Sequence, residues 1–354
     1  MSWSLTSESL VLGVETSCDE TAAAVVRGGR ETVASVVASQ EDLHAHFGGI
    51  VPEVASRKHA ELVTAIVRQA LEQAGVRWDD LSLIAVTRGP GLVGSLLVGV
   101  SAAKGYSLAT GLPLVGVDHV AAHVHSCFLR PEAEQAGAPE QFPALCLVAS
   151  GGHSDLVLVR GVGEYSLVGW TRDDAAGEAL DKAARLLGLG YPGGPAIERA
   201  AAGGNADAAD LPRPRISEGF GFSFAGLKTA LVRIVEPAGL EGCGHSVADL
   251  AASFQRAVVD TLVQETFDAA HHYGVRQVLL AGGVAANETL RAATAARANA
   301  NGLGFYIPPK SLCTDNAAMV AAAGFCCAVR GGPDDLDMEV ASALRLPVLT
   351  QPDS

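Results

Sequence analysis

The sequence lacks long apolar runs and an excess of basic residues, and each absence argues against a class of protein. No hydrophobic stretch reaches the roughly 18 residues of a membrane span without a Gly, polar or charged interruption, so we expect no contact with a membrane. Lys and Arg number 25 against 39 Asp and Glu, which gives a net charge of −14 and disfavours a general nucleic-acid-binding surface. A local basic patch, or one supplied by a partner, stays possible.

Disulfide and targeting signals are also missing. The chain has seven cysteines, an odd number, and no CxxC pair, which is typical of buried, inert thiols in a reducing compartment. The stretch from Met1 to Glu8 lacks the charged-then-apolar run of a signal peptide and the Arg-rich character of a transit peptide. We therefore expect a cytoplasmic protein.

The length of 354 residues exceeds what one hydrophobic core usually holds, so two domains are expected. The first part of the chain reads as three strands, a long helix from Pro52 to about Ala74, a strand and a helix rich in small residues. A comparable series follows and includes a strand at 277–281 and a helix at 286–298. This repeated order predicts two similar α/β lobes with ligands in the cleft between them.

Two histidines, His119 and His123, stand four residues apart, a spacing that puts both imidazoles on one face of a helix. Such a pair can bind one metal ion, although half-buried histidines without a metal are about as common. Val120 occupies the position where the zinc-peptidase motif HExxH needs a Glu as general base, which argues against peptide hydrolysis. Asp315 is the best-placed late carboxylate for a third ligand, or else a helix cap. His125 points to another face and is left out of the site.

Glycine is frequent, and its pairs favour tight turns that approach a ligand closely. The clearest such turn follows a predicted strand and could bring backbone N–H groups together as an anion-binding nest, although an ordinary hairpin turn is commoner for Gly-Gly alone. Four such glycine pairs in one chain favour a nucleotide. The residues of this turn are Val148, Ala149, Ser150, Gly151 and Gly152.

Three further residues are candidates for the same pocket. Asp181 could accept hydrogen bonds from ribose hydroxyls, or belong to a solvated face of ion pairs four residues apart. Gly194 follows it in a glycine turn suited to a phosphate. Asn287 either caps the helix that follows the Gly282 turn or reaches the ligand, and capping is the commoner use.

Taken together, these residues resemble the tRNA adenosine threonylcarbamoyltransferase family of the bacterial TsaD type, formerly described as O-sialoglycoprotein endopeptidase. The resemblance runs from about Val11 to Ala328 and rests on many separate motifs. These motifs are GVETSCDET from Gly13, HAHFGGIVPE from His44, GPGLVGSL from Gly89, HVAAH from His119, SGGH from Ser150, the segment 173–187, YPGGP from Tyr191, FSFAGLKT from Phe222, the turn at Gly282 and CTDN from Cys313.

The resemblance implies an α/β fold of two ribonuclease-H-like lobes, shared with actin, Hsp70 and sugar kinases, with the active site between the lobes. The implied bounds are 9–117 for the first lobe, joined by a C-terminal helix at about 314–345, and 118–313 for the second. It also implies that His119, His123 and Asp315 bind one divalent metal ion, iron(II) in preference to zinc. The adenylate would lie against the turn 148–152 and the side of the cleft carrying Asp181, Gly194 and Asn287.

The implied reaction transfers the threonylcarbamoyl group of threonylcarbamoyl-AMP to the N6 amine of the adenosine 3′-adjacent to the anticodon, in tRNAs reading codons that begin with A. Such a reaction needs positioning and charge stabilisation, and we name no protein nucleophile or other catalytic side chain. The implied partners are tRNA, a TsaB-type paralogous subunit and a TsaE-type ATPase.

Two other functions fit part of the pattern. An ATPase or kinase of the same superfold would use the glycine turns but not the histidine pair, and a metallopeptidase would use the histidines but leave the turns idle. A binding-only role is disfavoured because all three metal-ligand candidates are present.

Overall fold

Two β-sheets organise the computed structural model of the chain, which describes residues 4–130, 137–237 and 239–349. The first sheet has the strand order β3-β2-β1-β4-β5, in which β1 to β3 are antiparallel and β4 and β5 run parallel to β1. The elements of this part are β1 (Leu10–Glu15), β2 (Glu20–Arg27), β3 (Glu31–Ser39), α1 (Glu41–Ala45), α2 (Pro52–Ala74), β4 (Leu81–Gly89), α3 (Val93–Thr110), β5 (Leu114–Asp118) and α4 (His119–Ser126).

The second sheet repeats this arrangement with one added strand. Its order is β11-β10-β6-β7-β8-β9, so that β8-β7-β6-β10-β11 corresponds to the order of the first sheet, with the same antiparallel and parallel pairings. The elements are β6 (Ala144–Ala149), β7 (Ser154–Gly161), β8 (Glu164–Thr171), α5 (Ala176–Leu186), α6 (Gly193–Ala201), β9 (Phe220–Phe222), α7 (Ala225–Val235), α8 (Gly239–Gly242), α9 (Val247–His272), β10 (Gln277–Ala281), α10 (Glu288–Ala300), β11 (Gly304–Tyr306) and α11 (Ala317–Gly331).

The predicted fold class is confirmed, because two α/β units of matching strand order are present. The helix predicted from Pro52 is α2, which begins at that proline and ends before Gly75, whose φ of 66° suits a glycine. The helix predicted at 286–298 was placed too early: a short 3₁₀ helix covers Gly283–Ala286, and α10 starts at Glu288. The short strands β5, β9 and β11 were not predicted, since runs of three to five residues carry little periodicity.

Helices cover both faces of the sheets and bury their apolar sides. One face of the first sheet packs against α2, whose buried residues Val63, Ile66, Val67 and Ala70 recur at helical spacing. Its other face packs against α11, in which Ala317 to Ala323 are all almost fully buried. The C-terminal helix therefore packs on the first sheet, but it ends at Gly331 and not near residue 345, because Gly332, at a φ of 79°, and Pro333 stop it. The exact lobe bounds 9–117 and 118–313 stay a proposal.

The segment after α11 crosses between the two sheets. Near its middle the N–H of Ala341 donates to the carbonyl of Arg88 at the end of β4, at 2.8 Å. Farther on, the N–H of Leu167 in β8 donates to the carbonyl of Pro347, also at 2.8 Å. Within the described residues no helix is both long and apolar enough to span a bilayer.

Candidate functional site

The histidine pair lies on α4, directly after the edge strand β5. Asp118 ends that strand and caps the helix, because its Oδ1 accepts a hydrogen bond from the N–H of Ala121 at 2.9 Å. The cap starts the helix at His119, so that His123 follows one turn later on the same face. The two ring centroids are 4.6 Å apart, and both side chains are buried. The predicted shared face is therefore present.

Asp315 lies beside the two imidazoles, although it is almost two hundred residues later in the sequence. Its Oδ1 lies 3.1 Å from Nε2 of His123 and 3.5 Å from Nε2 of His119. Asp315 does not cap α11, because the next residue, Asn316, accepts the hydrogen bond from the N–H of Met319 at 3.0 Å. Its carboxylate is thereby available for another partner.

These three side chains form a group that could hold a metal ion. One ligand atom from each of His119, His123 and Asp315 lies within 4.8 Å of the others. Both ring nitrogens of His123 are buried and make no hydrogen bond to the described residues, although Nε2 lies 3.1 Å from Oδ1 of Asp315. Buried imidazole nitrogens without partners are costly, and a cation between two imidazoles and a carboxylate would satisfy them.

The electrostatics of the group also favour a positive charge. Burial acts to lower the pKa of His119, but the carboxylates of Asp315 and Glu15 overcome it and raise that pKa to about 9. Burial acts to raise the pKa of Asp315, but the charge of His119 lowers it below its usual range. Burial and the neighbouring imidazoles lower the pKa of His153 to about 3, so this third ring stays neutral.

Glu15 contacts the Nδ1 side of the His119 ring, opposite the side that faces Asp315. The sequence did not identify it as a site residue. It ends β1 and is completely buried, and its Oε2 lies 3.3 Å from Nδ1 of His119. Thr87 of β4 donates to the same oxygen at 2.6 Å. A carboxylate at the end of an otherwise apolar strand was the signal in the sequence. Its contact favours a proton on Nδ1, which leaves Nε2, the nitrogen that faces Asp315, as the one that can bind a metal ion.

The turn at the end of β6 presents backbone donors. Val148 and Ala149 are buried in the strand, and Ser150 closes the turn by donating its N–H to the carbonyl of His153 at 2.8 Å. Gly151 and Gly152 are exposed, and their N–H groups find no acceptor among the described residues. The turn can therefore donate two hydrogen bonds to an anion.

Two glycines allow neighbouring elements to approach this turn. A Cβ on Gly177, in the first turn of α5, would lie 2.6 Å from the carbonyl oxygen of Ser150. A Cβ on Gly282, which follows β10 at a φ of 89°, would lie 2.3 Å from the carbonyl oxygen of Ala149. The start of α5 and the end of β10 thus pack directly against the turn.

The other predicted adenylate residues lie on elements around the turn. Asp181 of α5 accepts a hydrogen bond from the N–H of Gly193 at 2.7 Å, which fixes the start of α6 where Gly194 stands. Burial raises the pKa of Asp181. Asn287 caps α10 through the N–H of Leu290 at 3.0 Å and donates to Gln255 at 2.9 Å. The capping alternative for Asn287 is therefore realised, and adenylate binding at all these residues stays a prediction.

His125 lies outside the group, as expected. Its ring is buried and meets the ring of Tyr165 edge-on, with centroids 5.3 Å apart. Burial lowers its pKa to about 3, so it packs as a neutral side chain.

A family model and two similar proteins all carry the same family name. The family model for TsaD, tRNA N6-adenosine threonylcarbamoyltransferase, matches residues 31–322. A protein of that name from Symbiobacterium thermophilum is 51% identical over 96% of this chain and 98% of its own length. One of the same name from Bacillus subtilis is 50% identical over 95% of each chain.

Solved structures at low identity share the fold. HypF from T. kodakarensis matches with a TM-score of 0.61 at 17% identity, over 92% of this chain and 48% of that one. Component A of the (R)-2-hydroxyglutaryl-CoA dehydratase of Acidaminococcus fermentans matches with a TM-score of 0.53 at 16% identity, over 90% of this chain and 99% of that one.

Proposed function

The chain belongs to the tRNA N6-adenosine threonylcarbamoyltransferase family, and we propose that threonylcarbamoyl-AMP is its acyl donor. As a member of this family it is a transferase that modifies adenosine in tRNA. The proposed acceptor is the N6 amine of the adenosine 3′-adjacent to the anticodon, in tRNAs reading codons that begin with A, and AMP is released. The observation that carries the proposal is the convergence of His119, His123 and Asp315 beside the turn at the end of β6.

We propose that these three side chains hold one divalent ion. Support comes from the unpartnered ring nitrogens of His123 and from the carboxylate of Asp315 between the two imidazoles. Two histidines and one carboxylate are the ligand set typical of non-haem iron(II), which supports iron(II) over zinc. Bound there, the ion would supply Lewis-acid polarisation of an acyl oxygen.

The residues of the chain would act mainly by positioning. The exocyclic amine of adenine is a weak nucleophile, whereas AMP is a good leaving group, so holding both substrates in register is the main task. The free N–H groups of Gly151 and Gly152 suit the phosphate of the adenylate. Glu15 would keep the proton on Nδ1 of His119, which preserves the orientation of that ring. This scheme requires no protein nucleophile.

The alternative functions are not favoured. An ATPase or kinase would leave the buried histidine pair without a role, and a metallopeptidase would lack the Glu after His119. Family membership over most of the chain supports the transferase instead.

We also propose that the chain works with a TsaB-type paralogous subunit and a TsaE-type ATPase. Support for a protein partner comes from α3, on which the apolar side chains of Val93, Leu97 and Leu108 are exposed. A groove of about 650 Å³, lined in part by Leu71 and Tyr106, lies beside that helix. Because the net charge is −14, part of the tRNA surface would come from these partners.

The test combines purified chain, unmodified tRNA and threonylcarbamoyl-AMP, with and without the partners, and uses nucleoside mass spectrometry to detect threonylcarbamoyladenosine. We expect the wild-type chain to form it and His119→Ala to lose at least about 100-fold in rate. The absence of product from the wild-type chain with partners would contradict the proposal and favour the ATPase alternative.

A further inference from the structure

A second cavity lies next to the metal-ligand group, on the far side of His153. It has a volume of about 230 Å³ and is enclosed by β7, β8 and the crossing segment 342–346. His153 lines it, and the ring of His153 lies 6.0 Å from that of His119, measured between centroids. A group bound in this cavity would therefore lie close to an acyl group held at the metal ligands.

Asp155 lies in the wall of the cavity. Its side chain extends from β7, the residue is only 8% exposed, and within the described part of the chain its carboxylate accepts no hydrogen bond and forms no ion pair. Burial raises its pKa to about 7, against a smaller opposing effect of Arg345. A buried carboxylate without a partner is destabilising, and such groups in cavities commonly serve ligand binding.

Arg345 supplies the opposite charge from another wall. It is exposed, and its guanidinium lies 5.9 Å from the ring centroid of Trp170. Among the residues that the structure describes it forms no ion pair, although its charge acts to lower the pKa of Asp155 against the larger effect of burial. The lining of the cavity thus contains a carboxylate and a guanidinium, together with the apolar side chains of Val120, Leu167 and Leu346.

The threonyl group matches this arrangement. It carries a carboxylate, which accepts hydrogen bonds, a hydroxyl and a carbamoyl N–H, which donate them, and one methyl group. We propose that this cavity binds the threonyl moiety of the acyl donor, with Arg345 pairing with its carboxylate and Asp155 accepting from its hydroxyl or carbamoyl N–H. The methyl group lies against the apolar wall. This inference rests on the proposed function, because it assigns one part of the donor to one part of the site.

The first experiment compares steady-state kinetics of wild type, Asp155→Asn and Arg345→Gln in the presence of partners, varying threonylcarbamoyl-AMP and tRNA separately. We expect each variant to raise KM for threonylcarbamoyl-AMP about 10-fold or more, with KM for tRNA and inhibition by AMP within about 2-fold of wild type. The matched control is Arg172→Gln, since Arg172 stacks on Trp170 at 4.3 Å without lining the cavity, and should behave as wild type. A rise in KM for tRNA instead would overturn the assignment and place the acceptor adenosine in the cavity, and no change in either KM would also overturn it.

A second experiment separates this inference from the proposed function. Calorimetry with N-carbamoyl-L-threonine measures binding to the full chain without requiring catalysis. We expect binding that Arg345→Gln weakens about 10-fold or more, and weaker binding of N-carbamoyl-L-serine, which lacks the methyl group. Binding that is equal in wild type and Arg345→Gln would overturn the cavity assignment, even if wild type modifies tRNA. Thermal melting of each variant checks that it is folded.

Discussion

Oε2 of Glu15 lies 3.3 Å from Nδ1 of His119, although 103 residues separate them in the sequence. Thr87 donates to the same carboxylate oxygen, which holds it toward the ring. A carboxylate in this position fixes the tautomer of the imidazole and makes its other nitrogen a better ligand. Several expectations can be checked from this and the other contacts of the site.

Glu15→Gln should weaken metal binding about 10- to 100-fold, because the amide keeps the shape of the side chain but loses its charge. Titration of metal against a competing chelator measures the effect. Thr87→Val is the matched control, since it removes only the hydroxyl that steadies Glu15 and should cost less. Wild-type affinity in Glu15→Gln would show that the contact with His119 does not support metal binding.

His123→Ala should abolish stoichiometric metal binding, because it removes one of three ligand candidates. Elemental analysis after dialysis measures the metal content, and adding metal should raise the melting temperature of wild type but not of the variant. His125→Asn serves as the control. It should lose about 1–3 kcal/mol of stability through its buried contact with Tyr165 while retaining its metal. Equal metal content in His123→Ala and wild type would contradict the assigned ligand set.

Gly177→Ala should displace the turn at the end of β6, since its Cβ would meet the carbonyl oxygen of Ser150 at 2.6 Å. We expect a loss of about 1–3 kcal/mol in unfolding free energy, together with weaker binding of AMP. Chemical denaturation and calorimetry measure the two effects. Gly105→Ala, in the exposed part of α3 with open space around it, should instead be neutral or stabilising by up to about 1 kcal/mol. Equal effects of Gly177→Ala and Gly105→Ala on unfolding free energy and AMP binding would show that the close approach at Gly177 does not hold the turn in place.

Asp155→Asn should become more stable relative to wild type as the pH rises. The pKa of Asp155 is raised to about 7 in the folded protein from an ordinary value of 3.8, so the folded state keeps a proton that the unfolded chain has lost. The stability of wild type therefore falls as the pH rises between these values, whereas the amide does not titrate. From pH 5 to pH 8 the unfolding free energy of the variant relative to wild type should rise by about 3 kcal/mol, as measured by urea denaturation. A difference independent of pH would show that Asp155 titrates normally.

The fold was largely predictable because its signals are local. Pro52 at the first position and Gly75 after the last define α2 from sequence alone. The helical spacing of His119 and His123 could be predicted for the same reason. Contacts between distant residues could not be predicted in this way: the sequence left Asp315 as either a third ligand or a helix cap, and the resemblance favoured the ligand.

Two features show why the rest could not be predicted. The role of Glu15 depends on β1 lying beside β4 and near the start of α4, a pairing that no local pattern encodes. The charged cavity depends on the crossing segment near Arg345 meeting β7 at Asp155, across nearly two hundred residues of sequence. Conversely, Asn287 had two plausible uses in the sequence, and its hydrogen bond to Leu290 shows that it caps α10.

The two histidines of α4 and Asp315 flank the whole second sheet in the sequence, and this separation affects how the protein is made. A ribosome adds roughly 5–20 residues per second, so Asp315 is synthesised about 10–40 s after His123. During that interval the nascent chain carries only part of the proposed ligand set, so we expect high metal affinity only after the second sheet has been completed. Metal loading would therefore report that synthesis is nearly finished, and truncated chains would remain metal-free.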